Sequence, residues 1–164
     1  MILAGTGHRP DRTGGYGVRA VRDLRAFAVD RLRVLQPSLV ISGMALGWDQ
    51  ALCHAAIELG IPFHAYVPFN GQESAWPWYS RDLYNKYLKA AEGIVITSPG
   101  GFSGKAMQAR NEAMVDACDR VLALWDGYKA GGTWNCMVYA RDQGKPITYC
   151  WQHWMEWESG ERLI

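Results

Sequence analysis

Three stretches of this chain combine glycine with groups that could hold an anion or move a proton. They are Gly5-Thr6-Gly7-His8-Arg9-Pro10, Ser42-Gly43-Met44-Ala45-Leu46-Gly47, and the run from Asp126 that ends in Gly131-Gly132-Thr133. Glycine lets backbone N–H groups approach an anion closely, and a helix that follows adds free N–H groups and the positive end of its dipole. A phosphate can be held this way with little net charge. Neither standard phosphate fingerprint is present: Gly5-Thr6-Gly7 lacks the third glycine of a dinucleotide motif, and no G-x-x-x-x-G-K-[ST] occurs.

The polar residues beside these loops suggest a division of labour. Asp49 falls in the first turn of a helix, where a carboxylate would repel a phosphate at the same N-terminus. It either caps the helix or accepts hydrogen bonds from ribose hydroxyls. Arg110 lies three residues after Met107 and four before Met114, on the apolar face of its helix, so it either snorkels outward or meets an anion with its planar fork. His8 and Arg9 follow the first strand, where the imidazole could donate to phosphate, transfer a proton, or only shape the loop. The expected ligand-binding set is Gly5, Thr6, Gly7, His8, Arg9, Ser42, Gly43, Met44, Ala45, Gly47, Asp49, Arg110, Asn111, Asp126, Gly131, Gly132 and Thr133. Glu73, Arg110 and Asp126 are the candidates for catalysis. No metal site and no cofactor is expected.

These residues need a scaffold, and the hydrophobic pattern supplies one. Strand-like runs at Ile2 to Gly5, Leu39 to Ser42, Phe63 to Val67, Gly93 to Thr97, Val121 to Trp125 and Ile147 to Trp151 alternate with segments of helical period. Val21, Leu24, Ala28, Leu32 and Leu35 form one apolar stripe, and its arginines fall elsewhere, as a solvated basic face or a polyanion site. Further helices are expected at Asp49 to Leu59, Tyr79 to Ala91, Lys105 to Cys118 and Thr133 to Gln143. Alternation of this kind predicts an α/β, Rossmann-like three-layer sandwich with a mostly parallel sheet. Ligands of such sheets bind beyond the carboxyl ends of the strands, which is where the glycine stretches fall. The irregular stretch Asn70 to Trp78 reads as a loop.

With 164 residues, 49% of them hydrophobic and 20% charged, the chain reads as a single globular domain over 1–164. A net charge of +1 gives no general nucleic-acid or membrane surface. The scattered Cys53, Cys118, Cys136 and Cys150 read as reduced core thiols, and no export or anchoring signal is visible, so a cytoplasmic location is expected. The tryptophan-rich tail, 151–164, packs on its own domain or at a subunit interface of a homo-oligomer.

The motifs "TGHRP" at Thr6 to Pro10, "ISGMALGWDQ" at Ile41 to Gln50, "PFNGQES" at Pro68 to Ser74, "MQARNEAMVD" at Met107 to Asp116 and "LWDGYKAGGT" at Leu124 to Thr133 together resemble the SLOG superfamily. This superfamily joins the DNA-processing proteins SMF/DprA to the LONELY GUY phosphoribohydrolases. The match, over roughly Ile2 to Cys150, is most similar to the small stand-alone YspA-like branch of bacteria and phages. The resemblance implies a Rossmann-like fold and a nucleotide-type ligand, in a signalling, phage or defence role. LONELY GUY enzymes cleave the base–ribose bond of nucleoside monophosphates with a helix arginine and a glutamate in P-G-G-x-G-T-x-x-E. Arg110 resembles that arginine and Gly131-Gly132-Thr133 the core of the second motif. The glutamate position is Cys136, so an N-glycosidase would need Glu73, Glu112 or Asp126 instead. DprA-like members bind single-stranded DNA; the near-neutral charge here speaks against DNA as a partner.

Overall fold

Six apolar runs pair into one sheet in which every strand runs parallel to its neighbours. The strands are β1 (Ile2–Gly7), β2 (Leu39–Ser42), β3 (Phe63–Val67), β4 (Gly93–Ile96), β5 (Arg120–Leu124) and β6 (Ile147–Tyr149). Their order is β4-β3-β2-β1-β5-β6. The helices between them are α1 (Val18–Leu35), α2 (Trp48–Leu59), α3 (Trp78–Ala90), α4 (Gly104–Ala117) and α5 (Gly132–Asp142), with α6 (Trp151–Arg162) at the end. This computed structural model describes residues 1–162, with side chains through residue 158; the last two residues of the tryptophan-rich tail lie outside the described residues.

Side chains alternate across each strand, and the two faces bury different partners. Leu3, Val40, Phe63 and Leu122 join a core with Phe27 and Leu32 of α1, Trp48 and Leu52 of α2, and Tyr84 of α3. Ala4, Ile41 and Val121 face the other way, onto Met114 and Val115 of α4 and Cys136 and Ala140 of α5. The chain moves outward from β1 through β2 and β3 to β4, then returns to place β5 on the far side of β1. Strand order therefore reverses between β1 and β5, and a crevice opens beyond their carboxyl ends.

The first strand corrects the sequence reading. Gly5, Thr6 and Gly7 are not loop but the second half of β1, because the register with β5 continues through Gly5↔Leu122, Thr6↔Ala123 and Gly7↔Leu124. A side chain at Gly5 would overlap Leu52, and one at Gly7 would overlap the Trp48 ring, so these glycines let α2 lie close against β1. Trp48 is fully buried. Gly7→Ala is therefore expected to cost about 1–3 kcal/mol through overpacking, read as a lower urea midpoint with an unchanged slope.

The tail also differs from its strand-like start. The last strand stops at Tyr149, and Trp151 opens α6. Trp154 is buried against Phe27 at 5.3 Å between ring centroids, with Trp157 on the same ring at 5.9 Å, so the tail packs on its own domain's α1 face. The four cysteines are buried and free. Among the described residues, no helix is long and apolar enough to cross a membrane.

Candidate functional site

The crevice at the reversal point is a cleft of about 340 Å³. It is lined by Gly5, Thr6, Gly7, His8 and Arg9 from β1 and the turn after it, Ala45 of the loop after β2, Asp49 at the start of α2, Arg110 and Asn111 of α4, and Gly131, Gly132 and Thr133 at the start of α5. Sequence reasoning named all of these. Ser42, Gly43, Met44 and Gly47 do not line it; they form the floor that sets Asp49. Glu73 does not line it either.

That floor explains much of the SGMALGWDQ stretch. The Ser42 hydroxyl donates to the Asp49 carbonyl (2.9 Å) and accepts from the Met44 N–H (3.1 Å). Met44 is buried with a left-handed φ of 63°, and its carbonyl accepts from the Gln50 amide (3.3 Å). Gly47 turns the chain into α2 with φ +94°, and a Cβ there would stand 2.7 Å from the His8 carbonyl. The loop from 70 to 76 reaches in as well, with the Gln72 amide donating to the Gly43 carbonyl (3.2 Å) and the Tyr84 hydroxyl donating to Gln72 (3.1 Å). The glycines of this stretch touch protein, so close packing accounts for them.

Gly43, having no side chain, also leaves room for the two charges of the site to approach each other. A Cβ on Gly43 would lie 2.6 Å from Nη1 of Arg110 and 3.0 Å from Oδ2 of Asp49. Asp49 does not cap α2, whose N-cap is Gly47; its Oδ2 instead accepts the Ala45 N–H at 3.2 Å. Burial pushes its carboxyl up to about 6, against the opposing pull of Arg110. Arg110 does not snorkel. It is buried, with Nη1 donating to the Gly43 carbonyl and Nε to Asn111 Oδ1 (3.1 Å). Burial lowers its pKa, and Asp49 resists that shift. Asn111 in turn donates to the Gly132 carbonyl (3.3 Å), which ties the arginine to the start of α5.

At that start, Gly131 takes φ +89° and no side chain caps the helix. A Cβ on Gly131 or Gly132 would meet nothing within 4 Å. These two glycines thus border open space, unlike Gly5, Gly7, Gly43 and Gly47. Free N–H groups and the positive dipole end of α5 face the cleft beside a buried guanidinium, which is an anion-binding arrangement.

Asp126 stands behind the rim rather than in the cleft. Its carboxylate takes Arg12 and the Tyr128 N–H (2.9 Å), and its own N–H donates to Nε2 of His8 (2.9 Å). Burial would raise its pKa, yet these donors outweigh burial and hold it low. Burial lowers the pKa of His8, which suits a neutral ring accepting that N–H. Sequence reasoning missed Arg12, Tyr128, Met107 and Met114, all of which line the cleft. The Arg12 guanidinium lies 4.5 Å over the Tyr128 ring. Cys136, where the resemblance expects a glutamate, is 2% exposed and absent from the lining, its thiol pushed up to about 11 by burial.

No family model matches the chain. It is similar to YoqJ, an SPbeta prophage-derived protein of Bacillus subtilis strain 168, with 33% identity over 118 residues, covering 62% of this chain and 68% of YoqJ. A UPF0398 protein of Bacillus thuringiensis is 25% identical over 164 residues, covering 90% of this chain and 86% of that protein. Among solved structures, DNA processing protein A (DprA) from Streptococcus pneumoniae has a TM-score of 0.65 at 17% identity, over 90% of this chain and 49% of its own. The molybdenum cofactor carrier protein of Chlamydomonas reinhardtii has a TM-score of 0.57 at 13% identity, over 90% of this chain and 74% of its own. The chain thus spans about half the length of the pneumococcal protein. These structures share its fold: a parallel α/β sheet of Rossmann type.

Proposed function

Because the chain belongs to the family of YoqJ, within the SLOG superfamily, we propose that its cleft binds a nucleotide or a nucleotide-derived small molecule. The observation that carries this reading is the buried Arg110 beside the uncapped, glycine-opened start of α5. A phosphate sits on the Gly131-Gly132-Thr133 amides with Arg110 and Arg9 as counter-charges, and ribose hydroxyls donate to Asp49.

The prophage origin of YoqJ supports a role in phage or defence signalling, and the buried thiols suit a reducing, cytoplasmic setting. Binding rather than glycosidic cleavage is the reading favoured, because neither Glu73 nor Glu112 lines the cleft and Asp126 is already engaged by Arg12.

Calorimetry against mononucleotides, cyclic dinucleotides and ADP-ribose derivatives tests the proposal. At least one class is expected to bind, and failure of every member would overturn it. Gly132→Ala then probes the phosphate position. Its Cβ meets no protein atom, so stability should stay within about 0.5 kcal/mol of the parent, while affinity for the bound class drops about tenfold as the methyl occupies the anion's approach.

A further inference from the structure

On the far side of the loops that wall the cleft lies a second, smaller cavity of about 150 Å³. Neighbouring residues of the same two segments face opposite ways: Arg9, Asp11, Ala45 and Asp49 line the cleft, whereas Pro10, Leu46, Gly47 and Gln50 line the cavity. The two sites share no lining residue. The cavity walls are apolar, with Val21 and Leu24 from α1, Ala51 from α2 and Leu83 from α3. Tyr16 and Tyr79 stand at its mouth, 63% and 61% exposed. A closed apolar cavity of about 150 Å³ holds one benzene ring.

Two polar groups interrupt that lining, each with bonding capacity left over. Gln50 is only 6% exposed, and its amide nitrogen donates to the Met44 carbonyl (3.3 Å). A carbonyl accepts only from the NH2 end of the side chain, so this bond leaves the Gln50 oxygen as the free acceptor. No donor from the described residues reaches that oxygen, and it is not among the unpartnered atoms sealed inside the protein. Gln50 lines the cavity and not the cleft, so a donor reaches it from the cavity. Arg25 is the one charged residue in the lining. Arg22 and Arg31 of the same helix pair with Asp23 and Asp30, but among the described residues no carboxylate pairs with Arg25. Together with burial, its charge lowers the pKa of His54.

We propose that this cavity is a second ligand site, for a small aromatic acid of the hydroxybenzoate class: one ring, one carboxylate and one hydroxyl. The ring fills the apolar walls and meets the two tyrosines edge-on or offset. The carboxylate takes the fork of Arg25, and the hydroxyl donates to the Gln50 oxygen. Each part of the ligand answers one observation. A phenol without the acid leaves Arg25 unpaired, and a benzoate without the hydroxyl leaves Gln50 without its donor. The volume, about 150 Å³ against about 340 Å³ for the cleft, admits one ring and excludes a nucleotide. This site stands whether or not the cleft takes a nucleotide.

Titration calorimetry of the full chain with 4-hydroxybenzoate, benzoate and phenol, with no nucleotide present, tests this. 4-Hydroxybenzoate is expected to bind, with benzoate and phenol each at least about fivefold weaker. Ala20→Leu fills the cavity from a half-buried position on α1 that does not line the cleft, so it should abolish binding with unchanged circular dichroism. Arg25→Met should still bind phenol but lose the preference for the acid over it. No binding of 4-hydroxybenzoate up to millimolar concentration, equal affinity for all three probes, or binding that survives Ala20→Leu overturns the proposal. Should Ala20→Leu fail to fold, Arg25→Met decides alone, and an undiminished preference for the acid overturns it.

Discussion

Arg110→Met is expected to lower the affinity for the proposed phosphorylated ligand of the cleft by at least about a hundredfold, the scale set by removing one partner of a buried, hydrogen-bonded charge pair. Methionine keeps much of the length and apolar volume of the arginine, so the neighbouring Met107 and Met114 keep their packing. What disappears is a guanidinium already desolvated and oriented by the Gly43 carbonyl and Asn111, which spends no further ordering on the anion. Arg9 provides the contrast. It lines the same cleft but is exposed, so Arg9→Met should reduce affinity only a few-fold and mainly flatten the salt dependence. Titration calorimetry on the two variants at two ionic strengths separates them, and equal losses would remove Arg110 from its role. The Gly43 carbonyl keeps the Gln72 amide as a donor, so the floor of the site survives the change.

The residues that line the cleft were mostly readable because they follow strand ends, and strand ends show in the hydrophobic pattern. Their reasons for being there were less readable. Gly5, Gly7, Gly43 and Gly47 look like a phosphate cradle in one dimension, yet each is required by a neighbour that arrives from elsewhere: Leu52, Trp48, Arg110 with Asp49, and His8. Of the glycines named for the site, Gly131 and Gly132 alone border open space. Local sequence cannot distinguish these cases, because the clash partner is set by sheet order, and the order β4-β3-β2-β1-β5-β6 is a global property.

The same holds for Arg12 and Asp126, which meet across 114 residues of sequence because β1 and β5 are adjacent. Met107 and Met114 were within reach: they share a stripe with Arg110, and the placement of Arg110 already implied theirs. The strand edge at β4 was hidden for the opposite reason. Ile94-Val95-Ile96 has the composition of a central strand, and only the topology reveals that nothing lies beyond it.

Asp49→Asn should stabilise the protein at pH 7.5 while weakening ligand binding. Below pH 3.8 the aspartate is protonated in folded and unfolded chains alike, and its burial adds no charge penalty. Between 3.8 and about 6 only the unfolded chain ionises, so stability falls as pH rises; above about 6 the full penalty of holding a buried carboxylate applies. A shift of that size corresponds to about 3 kcal/mol, with the attraction to Arg110 already included. Asparagine keeps an oxygen for the Ala45 N–H and carries no charge, so the variant should gain up to about 3 kcal/mol at pH 7.5 and almost nothing at pH 4. Urea unfolding at the two pH values measures the difference, and a gain that is the same at both would show that Asp49 ionises normally. Affinity should move the other way, falling about tenfold for a ribonucleotide as the carboxylate acceptor is lost. A residue whose removal stabilises the fold and impairs binding is kept for the ligand, and the paired measurement decides whether Asp49 is one.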